Sequence, residues 1–407
     1  MPTLSCTELD LGVDLSAAFD VVGAKYAGDI YMIAYSATLG LLIVNASKKT
    51  ASLLSDLADP GADLGGRSSL VNYSIKGSKV YARTAHIRTG ELVLSDIDVD
   101  LSSGDASRVE AAAHSFSWID AWEEIAESVI IPPYLHVMPD KDTEYIYLID
   151  LDDGSSEQIA TGLTGYTLRP SFKLMHYKDD IHMLLGRHFA GDTYRLLSLY
   201  SGTVSSLELT TGGGSPRPHI GGLGIFRSGV LIPATSSGVV DADNDIAILD
   251  ERFNVLVTLD VGSVTGWSSN DLIPGFFIVG RGSDRYYALM PVDNNAAYEN
   301  TAFRVYWIEF DLASGILDSQ LLYEKSVPDE VRTSLFSEYS GWARAPVVDP
   351  IAKKIYFIYG VSTTTTFGIC EVDVSDKWDD ILELNSHAWI VGTGRIPTFM
   401  TLGISTL

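Results

Sequence analysis

A short turn followed by an alternating β-branched or aromatic run recurs along this chain, and no other feature constrains the fold as much. It reads Gly28-Asp29-Ile30-Tyr31-Met32-Ile33, then Gly77-Ser78-Lys79-Val80-Tyr81, then Asp179-Asp180-Ile181-His182-Met183. Further copies are Ser228-Gly229-Val230-Leu231-Ile232, Ser283-Asp284-Arg285-Tyr286-Tyr287 and Lys353-Lys354-Ile355-Tyr356-Phe357. Downstream comes a second element, an apolar stretch that closes in an acidic or small residue and a turn. Val99-Asp100-Leu101-Ser102-Ser103-Gly104 carries it, as do Ile149-Asp150-Leu151-Asp152-Asp153-Gly154 and Phe310-Asp311-Leu312-Ala313-Ser314-Gly315. Alternation makes half-buried strands, and Gly, Asn or Asp supplies the backbone conformation that a tight turn needs.

Copies recur about every 50 residues, the length of a four-stranded antiparallel unit. This predicts an all-β chain, a single β-propeller of seven four-stranded blades near residues 17–57, 69–113, 114–162, 166–210, 217–260, 271–324 and 342–385. Residues 1–16 and 386–407 are left over and are expected to close the ring or to reach a neighbouring subunit. In particular, 395–404 should pair with backbone near the N-terminus or with another subunit. Pro132 and Pro133 are expected to interrupt the second strand of the third unit, because proline removes a ladder donor. Helix is expected only at 120–126 and 328–332.

The hydrophobic-Asp-x-x-x-Gly turn resembles that of generic β-propeller repeat proteins, over nearly the whole chain. The Trp-Asp and Gly-His signatures of the WD40 class are missing, and so are kelch diglycines. The resemblance implies a fold and no particular activity, since one scaffold of this kind hosts hydrolases, lectins, scaffolds and virion proteins.

The 407 residues carry a net charge of −25, which argues against nucleic acid as a partner. With 46% hydrophobic and 20% charged residues, an ordered core is expected. No run of about 18 apolar residues occurs, so no membrane insertion is expected. The N-terminus lacks the basic and apolar stretches of a secretory leader. Cys6 and Cys370 could staple the termini or remain two thiols, and two thiols are expected. Abundant Ser, Thr, Gly and Tyr with sparse Lys fits extracellular and virion β proteins.

Arg169, Arg217 and Arg344 recur beside or near a proline where an inner strand begins, with Trp267 and Trp342 in neighbouring connections. Guanidiniums repeated around one channel mouth suit bidentate recognition of a carboxylate or phosphate, and exposed indoles suit sugar rings. The competing reading makes the same residues clamps between blades. Asp241, Asp243 and Asp245 alternate and offer hard oxygens to Ca²⁺, although Ile246 and Arg252 break the EF-hand pattern. No other cofactor is expected.

No nucleophile elbow, zinc-helix motif or phosphate loop occurs. The leading expectation is therefore a non-enzymatic binding or assembly module: a virion, tail or spike component, or a host-glycan binder. It would sit on an extracellular or virion surface, with protein or glycan partners, as a homo-oligomer or in a particle. One alternative is a carbohydrate-active enzyme. Arg395-Ile396-Pro397 is similar to the Arg-Ile-Pro element of sialidases, and Asp120, Glu124, Asp271 and Glu338 could supply an acid and a base. The other alternative is an intracellular, cytoplasmic scaffold.

Overall fold

The computed structural model describes residues 1–12, 20–62, 69–88, 90–116, 129–131, 134–137, 145–150, 153–160, 173–177, 180–186, 193–198, 204–208, 217–218, 224–235, 245–250, 254–265, 271–272, 276–296, 300–327, 346–360, 365–385 and 389–390. Nearly all of them lie in antiparallel strands. Helix among the described residues is limited to one 3-10 turn, Ser55–Leu57, and the four-residue segments Gly262–Thr265 and Ser375–Trp378. The helices expected at 120–126 and 328–332 lie outside the described residues.

The strands form seven sheets among the described residues, each built on a meander that follows chain order. The first spans residues 20–54, the second 69–115, the third 129–160 and the fourth 173–208. The fifth spans 217–260, the sixth 271–327 and the seventh 347–373. One compact unit contains the first three sheets; the other contains the last four together with the N-terminal strand.

Local sequence explains the strands. Gly40–Asn45 is buried throughout, as the unbroken run Leu41-Leu42-Ile43-Val44 requires of a strand covered on both faces. The second half of Glu91–Asp100 alternates instead, with Ile97 and Val99 buried and Asp96 and Asp98 turned to solvent. The turns follow the expected chemistry. Asp100 accepts the Ser102 N–H at 2.9 Å, and Gly104 closes the turn at φ +81° by donating to the Asp100 carbonyl at 2.8 Å. Asp311 captures the Ala313 N–H at 2.8 Å in the same way, ahead of Gly315 at φ +89°. The carboxylate imitates a backbone acceptor, and glycine takes the left-handed conformation without a Cβ penalty.

The fifth and sixth sheets share an apolar core that includes Phe226, Ile248, Phe276, Tyr286, Ile308 and Phe310. Tyr286 stacks on Phe310 at 5.4 Å and meets Phe226 at 5.5 Å. Each such buried side chain contributes about 1.5–3 kcal/mol from area removed from water.

One sequence expectation is corrected, and another falls outside the described residues. Ile131 pairs with Tyr134 where the first two strands of the third sheet meet, and Pro132 and Pro133, expected to interrupt a strand there, lie outside the described residues. The cysteines are not two thiols. The N-terminal strand Thr3–Asp10 lies antiparallel against Thr366–Asp373, which puts Cys6 opposite Cys370, and the two form a disulfide. Glu8 on the same strand accepts from the Tyr359 hydroxyl at 2.7 Å and pairs with Lys325. The seventh sheet thus takes its outer strand from the other end of the chain. Residues 395–404, expected to fill such a role, lie outside the described residues.

Candidate functional site

Two neighbouring hairpins and a returning strand build one cleft. Gly224–Phe226 turns through Arg227 and Ser228 into Gly229–Thr235. In the next sheet, Phe277–Arg281 turns through Gly282 and Ser283 into Tyr286–Ala296, and Gly282 N–H bonds the Arg285 carbonyl at 2.7 Å. Beyond the short helix Ser375–Trp378 the chain returns as Glu383–Leu384, antiparallel to Phe277–Arg281. Leu382 N–H donates to the Arg281 carbonyl and Asn385 N–H to the Val279 carbonyl, both at 2.9 Å.

Glycine permits this approach. A Cβ on Gly280 would lie 2.6 Å from Ile381 Cγ2, and one on Gly282 would lie 2.8 Å from the Asp380 carbonyl oxygen. Glycine within a strand marks such close backbone contacts. Asn385, 3% exposed, then pins the arrangement: its Nδ2 donates to the Ile278 carbonyl at 2.6 Å, and its Oδ1 accepts the Ile225 N–H at 2.8 Å.

The resulting cleft has a volume of about 520 Å³ and is lined by Arg227, Arg281, Gly282, Ser283 and residues 382–384. The Arg281 guanidinium lies over the Tyr286 ring, 5.9 Å from its centroid. Tyr286 is its cross-strand partner, so the hairpin register itself sets this contact. Glu383 Oε1 accepts the backbone N–H of Arg227 at 2.7 Å and ties the first turn to the returning strand.

Charge pairing separates this cleft from the other polar clusters. Arg83, Arg88, Arg108, Arg285 and Arg304 each hold a carboxylate. Arg227 and Arg281 have no carboxylate within ion-pair distance among the described residues, and both line the cleft.

The buried clusters are compensated. Asp59 accepts from the Gly61 N–H at 2.9 Å, His86 Nε2 at 2.8 Å and Arg108 Nη2 at 2.9 Å. Burial alone would raise its carboxyl, but these donors outweigh burial and hold it below the ordinary range. Burial pushes His86 down despite the Asp59 contact, so a neutral imidazole donates from Nε2. Its Nδ1 has no partner among the described residues. Glu309 is held by Lys377 at 2.6 Å, Arg285 at 3.2 Å and the Trp307 indole N–H at 3.4 Å, which likewise outweigh burial and lower its carboxyl. These groups clamp strands together, and the Lys377 contact anchors the segment that returns to the cleft.

Of the residues singled out from sequence, Arg169, Trp267, Trp342, Arg344, Asp241 and Asp243 lie outside the described residues. Arg217 stands in the two-residue strand Arg217–Pro218, opposite Thr235. Asp245 opens the strand Asp245–Leu249, opposite Asp260. Asp271, one of the acid–base candidates, pairs in backbone register with Asn294. The described residues contain no group of three His, Cys, Asp or Glu arranged to hold a metal. The cleft belongs to the opposite end of the strand Gly229–Thr235 from Arg217. A signal for it existed in Arg227-Ser228-Gly229 and Arg281-Gly282-Ser283, arginines entering equivalent turns of successive units.

Seven sheets among the described residues, each built on an antiparallel meander in chain order, give this chain the repeat architecture of β-propeller proteins. The WD40 domain of SCAP from fission yeast is similar, with a TM-score of 0.38 at 8% identity over 90% of this chain and 98% of that one. Cobalt-substituted Synechocystis ACO gives 0.43 at 12% identity, covering 76% and 74% of the two chains. The S. cerevisiae core factor gives 0.41 at 10% identity, covering 91% of this chain and 61% of that one. No family model matches the chain, and no curated protein does.

Proposed function

We propose that this chain is a non-enzymatic binding module: a seven-bladed β-propeller, closed by its N-terminal strand, that captures an anionic ligand in the cleft between Arg227 and Arg281. Charge placement carries the reading. In a chain of net charge −25, two guanidiniums without a carboxylate partner among the described residues share one cleft. Such a site concentrates anions locally while the acidic remainder repels them. Blade count and closure are supported by the chain-order meanders and by the strand Thr3–Asp10 completing the last sheet. The Cys6–Cys370 bond favours an oxidising setting, extracellular or on a particle surface.

Arg169, Arg217, Arg344, Trp267 and Trp342 enter the same reading as a second contact surface, tested separately by Arg344→Ala. For the cleft, an array of glycans and small anions is probed with the wild type and with the double variant Arg227→Ala/Arg281→Ala. Anionic ligands are expected to bind the wild type and to lose most of their affinity for the variant. Equal binding by both proteins would overturn the reading.

A further inference from the structure

We infer that the cleft selects a singly charged carboxylate with an apolar body, of amino-acid or sugar-acid size, and that Glu383 sets this preference by excluding dianions. The inference rests on the anion-binding reading above. Its first support is the charge count inside the cleft. Among the described lining residues, Arg227 and Arg281 bring two positive charges and Glu383 brings one negative charge. A monoanion neutralises the remainder, whereas sulfate or a phosphate dianion leaves a negative charge facing the Glu383 carboxylate. Like charges within one cleft repel strongly because the surrounding protein screens them less than water does.

The second support is shape. Arg281 rests on the Tyr286 ring, which restrains the guanidinium and leaves its edge available for a two-pronged contact with a planar carboxylate. Gly282, the next residue in the chain, also lines the cleft. Ser283 already donates its hydroxyl to Asp284 at 3.3 Å and does not need the ligand.

The third support is the wall formed by the returning strand. Leu382 is 71% exposed, and it lines the cleft together with Leu384. These side chains suit the uncharged part of a ligand. A volume of about 520 Å³ falls in the range of small-molecule sites, roughly 300–1,000 Å³. Glu383 therefore has two tasks on two sides: its Oε1 holds the Arg227 turn, and its charge filters what enters.

The two tasks can be separated by Glu383→Gln, which keeps an oxygen to accept the Arg227 N–H and removes the charge. Calorimetric titrations would use N-acetyl-leucine, glucuronate and sulfate as probes, at constant ionic strength. The wild type should bind the carboxylates about tenfold more tightly than sulfate, the discrimination that a like-charge contact supplies. Glu383→Gln should erase that difference by tightening sulfate, and Arg281→Ala should weaken both carboxylates about tenfold to a hundredfold. N-acetyl-leucine binding more tightly than glucuronate identifies an amino-acid-like ligand; the reverse order identifies a sugar acid. If the wild type binds carboxylate and sulfate equally, or Glu383→Gln leaves the ratio unchanged, the inference fails while the anion site stands. If no probe binds, or Arg281→Ala binds all of them as the wild type does, the site itself is refuted. Arg281→Lys, which keeps the charge and loses the fork, guards against misfolding and should retain sulfate better than carboxylate.

Discussion

Cys6 stands directly opposite Cys370 across two antiparallel strands, with Cα atoms 4.1 Å apart and a bond between their sulfurs. Opposed residues in an antiparallel pair come this close only at the non-hydrogen-bonded positions of the ladder. The bond joins residues 364 apart in sequence and fixes the strand that completes the seventh sheet. In the chain-entropy picture, closing so long a loop stabilises the folded state by up to about 5 kcal/mol. Reduction, or the pair Cys6→Ala/Cys370→Ala, should lower Tm and increase hydrogen exchange first in residues 3–10. A Tm unaffected by reductant would show that the strand pairing suffices alone.

Acid should destabilise the unit built around Asp59 in two steps. His86 is buried neutral with its pKa held below the ordinary 6.5, so the unfolded chain takes up a proton first as pH falls through 6.5. Stability is therefore full above that pH and declines below it, towards the depressed folded value. Asp59, lowered from 3.8, adds a second loss as pH falls below the ordinary carboxylate range and its ion pairs with Arg108 and Arg88 are protonated away. Tm measured from pH 8 to 3 should fall in both windows, and His86→Gln should flatten the first. A profile that is level between pH 6.5 and 5 in the wild type would contradict the assignment of a neutral His86.

Asn385 should behave as the pin of the returning strand. Asn385→Ala removes the acceptor of the Ile225 N–H and the donor to the Ile278 carbonyl, at an expected cost of about 2 kcal/mol for buried polar groups. Amide exchange at Leu382 and Asn385 should accelerate, while exchange in Tyr286–Ala296 stays slow. Uniform acceleration across the sixth sheet would mean that the residue supports the whole sheet.

Gly280→Ala should open the cleft without unfolding the sheet that carries it. The new methyl would lie 2.6 Å from Ile381 Cγ2 and 3.1 Å from the Glu383 carbonyl oxygen, so the segment 381–384 must shift. Anion binding should weaken severalfold with Tm lowered by only a few degrees, read by titration and by calorimetry of the same sample. Unchanged binding would place the ligand elsewhere.

The sequence by itself determined the strands and turns, because those signals are local. Ile97 and Val99 alternate with Asp96 and Asp98 within one strand, and Asp100 with Gly104 closes a turn within five residues. Propeller-type repetition could therefore be read before any contact was known. The tertiary structure decided which distant residues meet. Arg227 and Arg281 look alike in the chain to Arg285 and Arg304, which are neutralised by carboxylates. They differ because neighbouring hairpins and a strand from residues 383–384 surround them, among the described residues, with one acidic group, already bound to a backbone N–H. The disulfide was open for the same reason: two cysteines 364 residues apart are bonded or free according to strand register, and register is fixed by the packing of whole sheets rather than by the residues beside each cysteine.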